Sequence, residues 1–297
     1  MLISSAYFKP PATEDIPEPV TAATPTPAPT AEPSPTPKPA LSEPKKEIYV
    51  PVWANIPVLY DGASEPRAHT VSPPVHEPKF ISGCGQILSS YTWGGDIPET
   101  KAVDDDYFSD AVFIGNSLAE GFMLYSKLST PDFFATKSIS VVNIYTQKAV
   151  NIGGGEYITI MDALARKSYG KVYILLGLNE MGYGIDEIVR RYSGLIDDIR
   201  KLQPGAEIYL QSLTPVTKEQ SDSGSIFNND SINKLNEDLK QLAADKKLHF
   251  VYIYESLANS EGCLPSEASN DGIHPYSKYY IQWKDYLKTH TVTEVKR

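Results

Sequence analysis

Four side chains stand in this sequence at places where they can meet and do chemistry. Ser117 follows, two residues on, the glycine that ends the apolar run Ala111-Val112-Phe113-Ile114. Asn179 sits in Gly177-Leu178-Asn179-Glu180, directly after the most apolar run of the chain, 171–176. Asp271 and His274 lie three residues apart in Asp271-Gly272-Ile273-His274, and the glycine between them lets the carboxylate fold back onto the ring. A hydroxyl, an imidazole and a carboxylate in contact are a nucleophile, a general base and the base's orienter, and a side-chain amide beside them donates to an oxyanion. The chemistry of that set is acyl transfer through serine. Each residue also has a plain structural use. Ser117 suits a helix N-cap, Asp271 an Asx turn, His274 a bond to a backbone carbonyl, and Asn179 a cap on its turn. What separates the two readings is whether all of them fall on one edge of one sheet.

The elements around them place them there. Short apolar runs at 111–114, 138–142, 171–176, 207–211 and 249–254 read as strands, and the intervening 118–128, 157–167, 185–202 and 230–245 read as helices, with a last helix over 277–288. In 185–202 the residues Ile185, Ile188, Val189, Tyr192, Leu195, Ile196 and Ile199 form one apolar stripe, and Gln203-Pro204-Gly205 marks its end. Strands that are apolar throughout, alternating with amphipathic helices, predict a parallel sheet covered on both faces, a flavodoxin-like three-layer α/β/α sandwich with five strands. In such a sheet ligands bind outside the carboxyl ends of the strands. Ser117, the loop 143–147, Asn179 and the stretch carrying Asp271 and His274 are all expected on that edge. Ser117 would begin a helix, where unpaired amides and the helix dipole favour a developing negative charge.

Three blocks in this order resemble the SGNH, or GDSL-type, hydrolase family over about 107–287. Gly115-Asn116-Ser117-Leu118 is similar to its Gly-Asp-Ser-Leu block, Gly177-Leu178-Asn179-Glu180 to its Gly-x-Asn-Asp block, and Asp271-Gly272-Ile273-His274 to its Asp-x-x-His block. The resemblance implies an esterase or acylhydrolase with Ser117 as nucleophile, His274 as base, Asp271 as its partner, and the Ser117 amide and Asn179 in the oxyanion hole, with no cofactor. Asn116 stands in place of the usual aspartate, Glu180 replaces the last aspartate of its block, and the second-block glycine has no match. A backbone N–H near Tyr145 or Thr146 is the expected substitute donor, with Thr146 taken as the third. Asn116, Tyr145, Glu180 and Tyr183 are the expected substrate-binding residues, the two tyrosines as surfaces on which a sugar ring can stack. Gly153-Gly154-Gly155 reads as a flexible loop, since no Lys-Ser/Thr follows it as in a P-loop.

Composition bounds the rest. A net charge of −10 without a basic cluster excludes nucleic acid as a partner. No apolar run reaches the roughly 18 residues of a membrane span. Asp104-Asp105-Asp106 reads as a solvated loop, because calcium asks for more widely spaced oxygens. Alternate prolines through about 10–44 forbid helix and sheet and predict an extended spacer. The expected organisation is a disordered Pro/Thr-rich linker (1–46), an irregular arm packing on the main domain (47–106), the hydrolase-like domain (107–290) and a tail (291–297). The spacer suggests an extracellular or cell-envelope-associated protein acting on acetyl or other short acyl esters of carbohydrate. Two other readings stay open, a glycan-binding module that cleaves nothing and an O-acyltransferase. The 2 cysteines, Cys84 and Cys263, are either separate thiols or one disulfide.

Overall fold

A computed structural model of the chain describes residues 80–82 and 91–294, all within the unit 72–297. The linker, most of the arm and Cys84 lie outside the described residues, so the pairing of Cys84 does too. Cys263 is buried and forms no disulfide among the described residues.

The described chain starts with β1 (Phe80–Ser82). After the 3-10 turn Asp105–Phe108 come β2 (Ala111–Gly115), α1 (Ser117–Tyr125) and β3 (Asp132–Ala135). A hairpin of β4 (Lys148–Asn151) and β5 (Tyr157–Thr159) leads into the short α2 (Ile160–Leu164). The alternation resumes with β6 (Lys171–Leu175), α3 (Ile185–Leu202), β7 (Glu207–Gln211), the short α4 (Lys218–Asp222), α5 (Asn229–Asp245) and β8 (His249–Val251). Then α6 (Tyr254–Leu257), α7 (Ser277–Thr289) and β9 (Val292–Glu294) follow. The main sheet has five parallel strands in the order β3-β2-β6-β7-β8. Helices α1 and α7 pack together, as do α3 and α5, which gives the three-layer α/β/α sandwich.

Register in the sheet is marked by a row of rings. Phe133, Phe113, Tyr173, Tyr209 and His249 are direct partners across β3, β2, β6, β7 and β8. Their ring centroids are 5.3, 4.5, 4.5 and 4.5 Å apart in that order. Those separations are close to the spacing of hydrogen-bonded strands, so stacking and the backbone ladder favour one alignment. A slip of one residue in any strand would turn its ring to the opposite face. Phe122 of α1 packs on Phe113 and on Trp283 of α7, which ties the helix that begins at Ser117 to the last helix through the core.

Several expectations need correction. The edge strand is β3 at Asp132–Ala135, not 138–142, which is loop and turn. Ile139 and Val141 are buried there, but side chains take up the backbone donors. Ser140 N–H donates to Asn143 Oδ1, Val141 N–H to Glu180 Oε1, and the Val142 and Asn143 N–H groups to Ser140 Oγ. The helix expected over 157–167 is β5 followed by the single turn of α2, capped by Thr159. The glycines 153–155 form the tip of the β4–β5 hairpin. The strand expected over 249–254 ends at Val251 and turns into α6. Within the stretch expected as a tail, β9 pairs antiparallel with β1, and the Tyr107 hydroxyl donates to Val292 O. Residues 91–103 run along β8 and then α7, through Gly94 N–H to Leu248 O, a bridge between Asp96 and Phe250, and Val103 N–H to Lys288 O. Asp105 of the acidic run pairs with Lys288 at 2.7 Å. Among the described residues no helix is long and apolar enough to cross a membrane.

Candidate active site

Ser117 is the first residue of α1, and its position follows from what flanks it. β2 delivers it from a fully buried strand. Asn116, 1% exposed, caps the helix through Oδ1, which accepts Leu118 N–H at 3.0 Å. Ser117 is therefore not the cap. Its hydroxyl is free to point outward, and its own amide lies among the helix-start donors that have no intrahelical acceptor. The half-exposed hydroxyl lies 2.8 Å from His274 Nε2 across 157 residues of sequence.

Gly272 brings the other partners into place. Its φ of 78° lies in the left-handed region, and a Cβ there would stand 2.6 Å from Gln220 Cβ and 2.9 Å from Thr217 Oγ1. The turn it makes folds Asp271 back onto its own loop. Asp271 Oδ1 accepts the N–H groups of Ile273 and His274 and the Ser269 hydroxyl, while Oδ2 lies 2.7 Å from His274 Nδ1. Burial works to raise the Asp271 carboxyl. The backbone and ring N–H of His274, with Ile273 N–H and Ser269, outweigh it and hold the group well below the usual carboxylate range. An ionised Asp271 accepts only, so the proton on His274 sits on Nδ1. Nε2 is then left with a lone pair for the Ser117 hydroxyl.

At the end of β2, where Thr136 N–H donates to Gly115 O and Asn116 N–H to Leu175 O, two loops are stitched together. Gly177, with φ of 115°, ends β6 and starts the 3-10 turn Leu178–Tyr183 that carries Asn179 and Glu180. The exposed Asn179 donates one Nδ2 hydrogen to Ile139 O at 2.8 Å, and an amide nitrogen has a second to offer. Glu180 is 1% exposed, and its carboxylate accepts Val141 N–H at 2.5 Å and Gly177 N–H at 3.2 Å. Burial pushes Glu180 up to about 7, against the pull of those backbone donors.

This arrangement revises the expected binding residues. Asn116 and Glu180 are buried and hold backbone in place, so they do not face a ligand. Thr146 is not placed as an oxyanion donor, because its N–H is committed to Asn143 O at 3.0 Å in the turn that replaces the expected strand end. Tyr145 is drawn to α3, where its hydroxyl donates to Asp198 at 2.9 Å. Tyr183 is exposed on the turn that carries Asn179.

A cleft of about 630 Å³ opens beside Ser117 and His274, between α1 and the start of α7. Its walls include Glu120, Leu124, Tyr125, Tyr276 and Tyr280, and the sequence reading missed all of them. The signal was present. Positions 120, 121, 124 and 125 are three, four, seven and eight residues after Ser117 and share its helical face, and Tyr276 and Tyr280 repeat that spacing just after His274. Among the described residues no group of His, Cys, Asp and Glu side chains is placed to hold a metal ion.

Residues 113–280 match the GDSL-like lipase/acylhydrolase family. No curated protein matches the chain. Several solved structures are similar. One, described as a platelet activating factor from Streptococcus pneumonia, is 21% identical, covering 60% of this chain and 82% of that one, with a TM-score of 0.49. A GDSL-like lipase from Bacteroides thetaiotaomicron is 15% identical over 62% and 86%, with a TM-score of 0.46. An acetylxylan esterase from Geobacillus stearothermophilus is 14% identical over 60% and 91%, with a TM-score of 0.43.

Proposed function

The chain belongs to the GDSL-like lipase/acylhydrolase family, and on that footing we propose that it is a serine esterase removing acetyl or other short acyl groups from carbohydrate or cell-wall glycan. The observation that carries the reading is the unbroken relay from Ser117 Oγ to His274 Nε2 at 2.8 Å and from His274 Nδ1 to Asp271 Oδ2 at 2.7 Å. It joins residues from two distant loops with the donor and acceptor sense that proton transfer needs.

In the proposed reaction Ser117 Oγ attacks the ester carbonyl carbon as its proton passes to His274 Nε2. Asp271 stabilises the imidazolium without taking the proton. The carbonyl oxygen gathers negative charge against the Ser117 amide, at the positive end of α1, and the second hydrogen of Asn179 Nδ2. The carbon–oxygen bond to the alcohol then breaks, and His274 returns its proton to that oxygen. Water, deprotonated by His274, attacks the acyl carbon, the bond from that carbon to Ser117 Oγ breaks, and His274 returns the proton to Oγ as the acid leaves. General-base action is worth about 10²–10⁴-fold and one oxyanion donor about 3–4 kcal/mol. The same proposal puts the activity outside the cell or in its envelope, held off a surface by the Pro/Thr-rich segment.

The test is purified protein with p-nitrophenyl acetate and a serine-directed phosphonate. Turnover, labelling at Ser117, and loss of both in Ser117→Ala and His274→Ala are expected. Hydrolysis that persists in Ser117→Ala refutes the mechanism. Neither turnover nor labelling points to a binding module, and acetyl transfer outrunning hydrolysis when a glycan acceptor is added points to a transferase.

A further inference from the structure

We infer that the cleft beside His274 receives the alcohol half of the ester, and that it selects a neutral, ring-shaped alcohol carrying a small acyl group. This rests on the serine-esterase reading. The leaving oxygen must come within hydrogen-bond reach of His274 Nε2 to collect its proton, so whatever that oxygen is attached to begins at the His274 ring. The cleft begins there as well, because His274, Pro275, Tyr276 and Ser277 form one of its walls. Asn179 and the 136–141 loop are not among its lining residues. They lie instead against the end of β2 that leads into Ser117, through Thr136 N–H to Gly115 O and Asn116 N–H to Leu175 O, and the bonds of Asn179 to Ile139 O and of Glu180 to Val141 N–H tie the two loops into a wall there. Bulk is therefore accepted on the alcohol side and restrained on the acyl side.

The lining states which alcohol. Tyr280 is buried and packs on Gly121 to form the floor. Leu124, Tyr125 and Tyr276 are 61%, 49% and 45% exposed, an unusual concentration of apolar surface around a nucleophile. Flat aromatic faces suit the apolar face of a sugar ring, whose hydroxyls stay in water at the open mouth. Glu120 is the charged side chain of the lining, with Oε2 accepting Lys137 N–H at 2.9 Å, and neither lysine nor arginine lines the cleft. An alcohol bearing a carboxylate or phosphate would meet a like charge with no cation to offset it.

The experiment compares kcat/KM across matched esters. The p-nitrophenyl esters of acetate and octanoate vary the acyl side. Ethyl acetate, a monoacetylated methyl hexoside and its uronate counterpart vary the alcohol side. Acetate is expected to exceed octanoate, and the neutral hexoside to exceed both ethyl acetate and the uronate, each by about tenfold or more. Tyr276→Ala, with Leu124→Ala as a second exposed site, should cut the hexoside-to-ethyl ratio by about tenfold, the loss of one aromatic or apolar contact. Glu120→Gln should bring the hexoside-to-uronate ratio toward unity, and added salt should narrow that ratio in the parent protein. Octanoate matching or exceeding acetate, or rates indifferent to the alcohol, overturns the inference while leaving the esterase reading intact. No turnover of any ester, with Ser117 unlabelled by phosphonate, overturns both.

Discussion

Replacing Glu180 with glutamine separates the charge of a buried carboxylate from its role as a backbone acceptor. Glu180 is 1% exposed, and burial lifts its carboxyl from 4.5 to about 7. In the unfolded chain it returns to its ordinary value, so between the two values the folded protein keeps a proton that the unfolded chain has released. The resulting stability is fully present below the unfolded value and is lost as pH rises through the folded one. From about pH 5 to about pH 8, that loss amounts to roughly 2–3 kcal/mol at about 1.4 kcal/mol per unit. Glutamine carries no such charge. It keeps one carbonyl for either Val141 or Gly177 N–H and turns an NH₂ toward the other, a cost of about 1–3 kcal/mol. Glu180→Gln should therefore be the less stable protein near pH 5, and the gap should close or reverse near pH 8. His249, whose burial lowers its pKa to about 3, shifts stability in the opposite direction below its ordinary 6.5. It does so in both proteins and cancels in the difference. Urea unfolding of parent and variant at four pH values in that window measures the gap. A gap constant to within about 0.5 kcal/mol across the window would refute the reasoning, because a carboxyl that titrates at its ordinary value gives no such change.

Other expected outcomes bear on the relay and its supports. Asn179→Ala should lower kcat by about a hundredfold or more with little change in KM, since its second hydrogen acts on the developing oxyanion. An unchanged kcat removes Asn179 from the oxyanion hole. Asp271→Asn presents a donor to His274 Nδ1 and favours the tautomer that leaves Nε2 without a lone pair, so kcat should fall by on the order of 10³–10⁴. Because the Asp271 carboxyl is held below the usual range, it stays ionised at any assay pH above about 4, and its titration should leave no trace in the pH–rate profile there. Gly272→Ala meets both a left-handed backbone and a 2.6 Å contact with Gln220, so it should lower stability by roughly 1–3 kcal/mol and kcat as well. Thermal unfolding alongside rate measurement checks both effects.

Much of the architecture was legible because its signals are local. The stripe from Ile185 to Ile199 requires a helix whose apolar side is buried, and α3 runs over Ile185–Leu202. The central strands at 111, 171 and 207 are covered on both faces, so continuous apolar runs identify them. The relay was legible for a related reason. Ser117, Asn179 and the Asp271–His274 pair each follow a strong structural punctuation, and parallel topology delivers the carboxyl ends of the strands to one edge.

Misreadings arose where burial and secondary structure come apart. β3 lies at the sheet edge and is only half buried, so Asp132-Phe133-Phe134-Ala135 lacks the signature of an inner strand. The next apolar stretch is buried as a loop, because Glu180, Asn143 and Ser140 satisfy its N–H groups. With that displacement Thr146, the expected third donor, falls in a turn where the Asn143 carbonyl takes its N–H. Residue types and their order thus decided the strand–helix alternation and the chemistry available at its edge. Which way each polar side chain faces was decided by tertiary packing, because it depends on which partner comes within about 3 Å, and most of those partners are distant in sequence. Glu180 and Asn116 turned inward to serve the backbone, while Leu124, Tyr125 and Tyr276 were left outside to line the cleft.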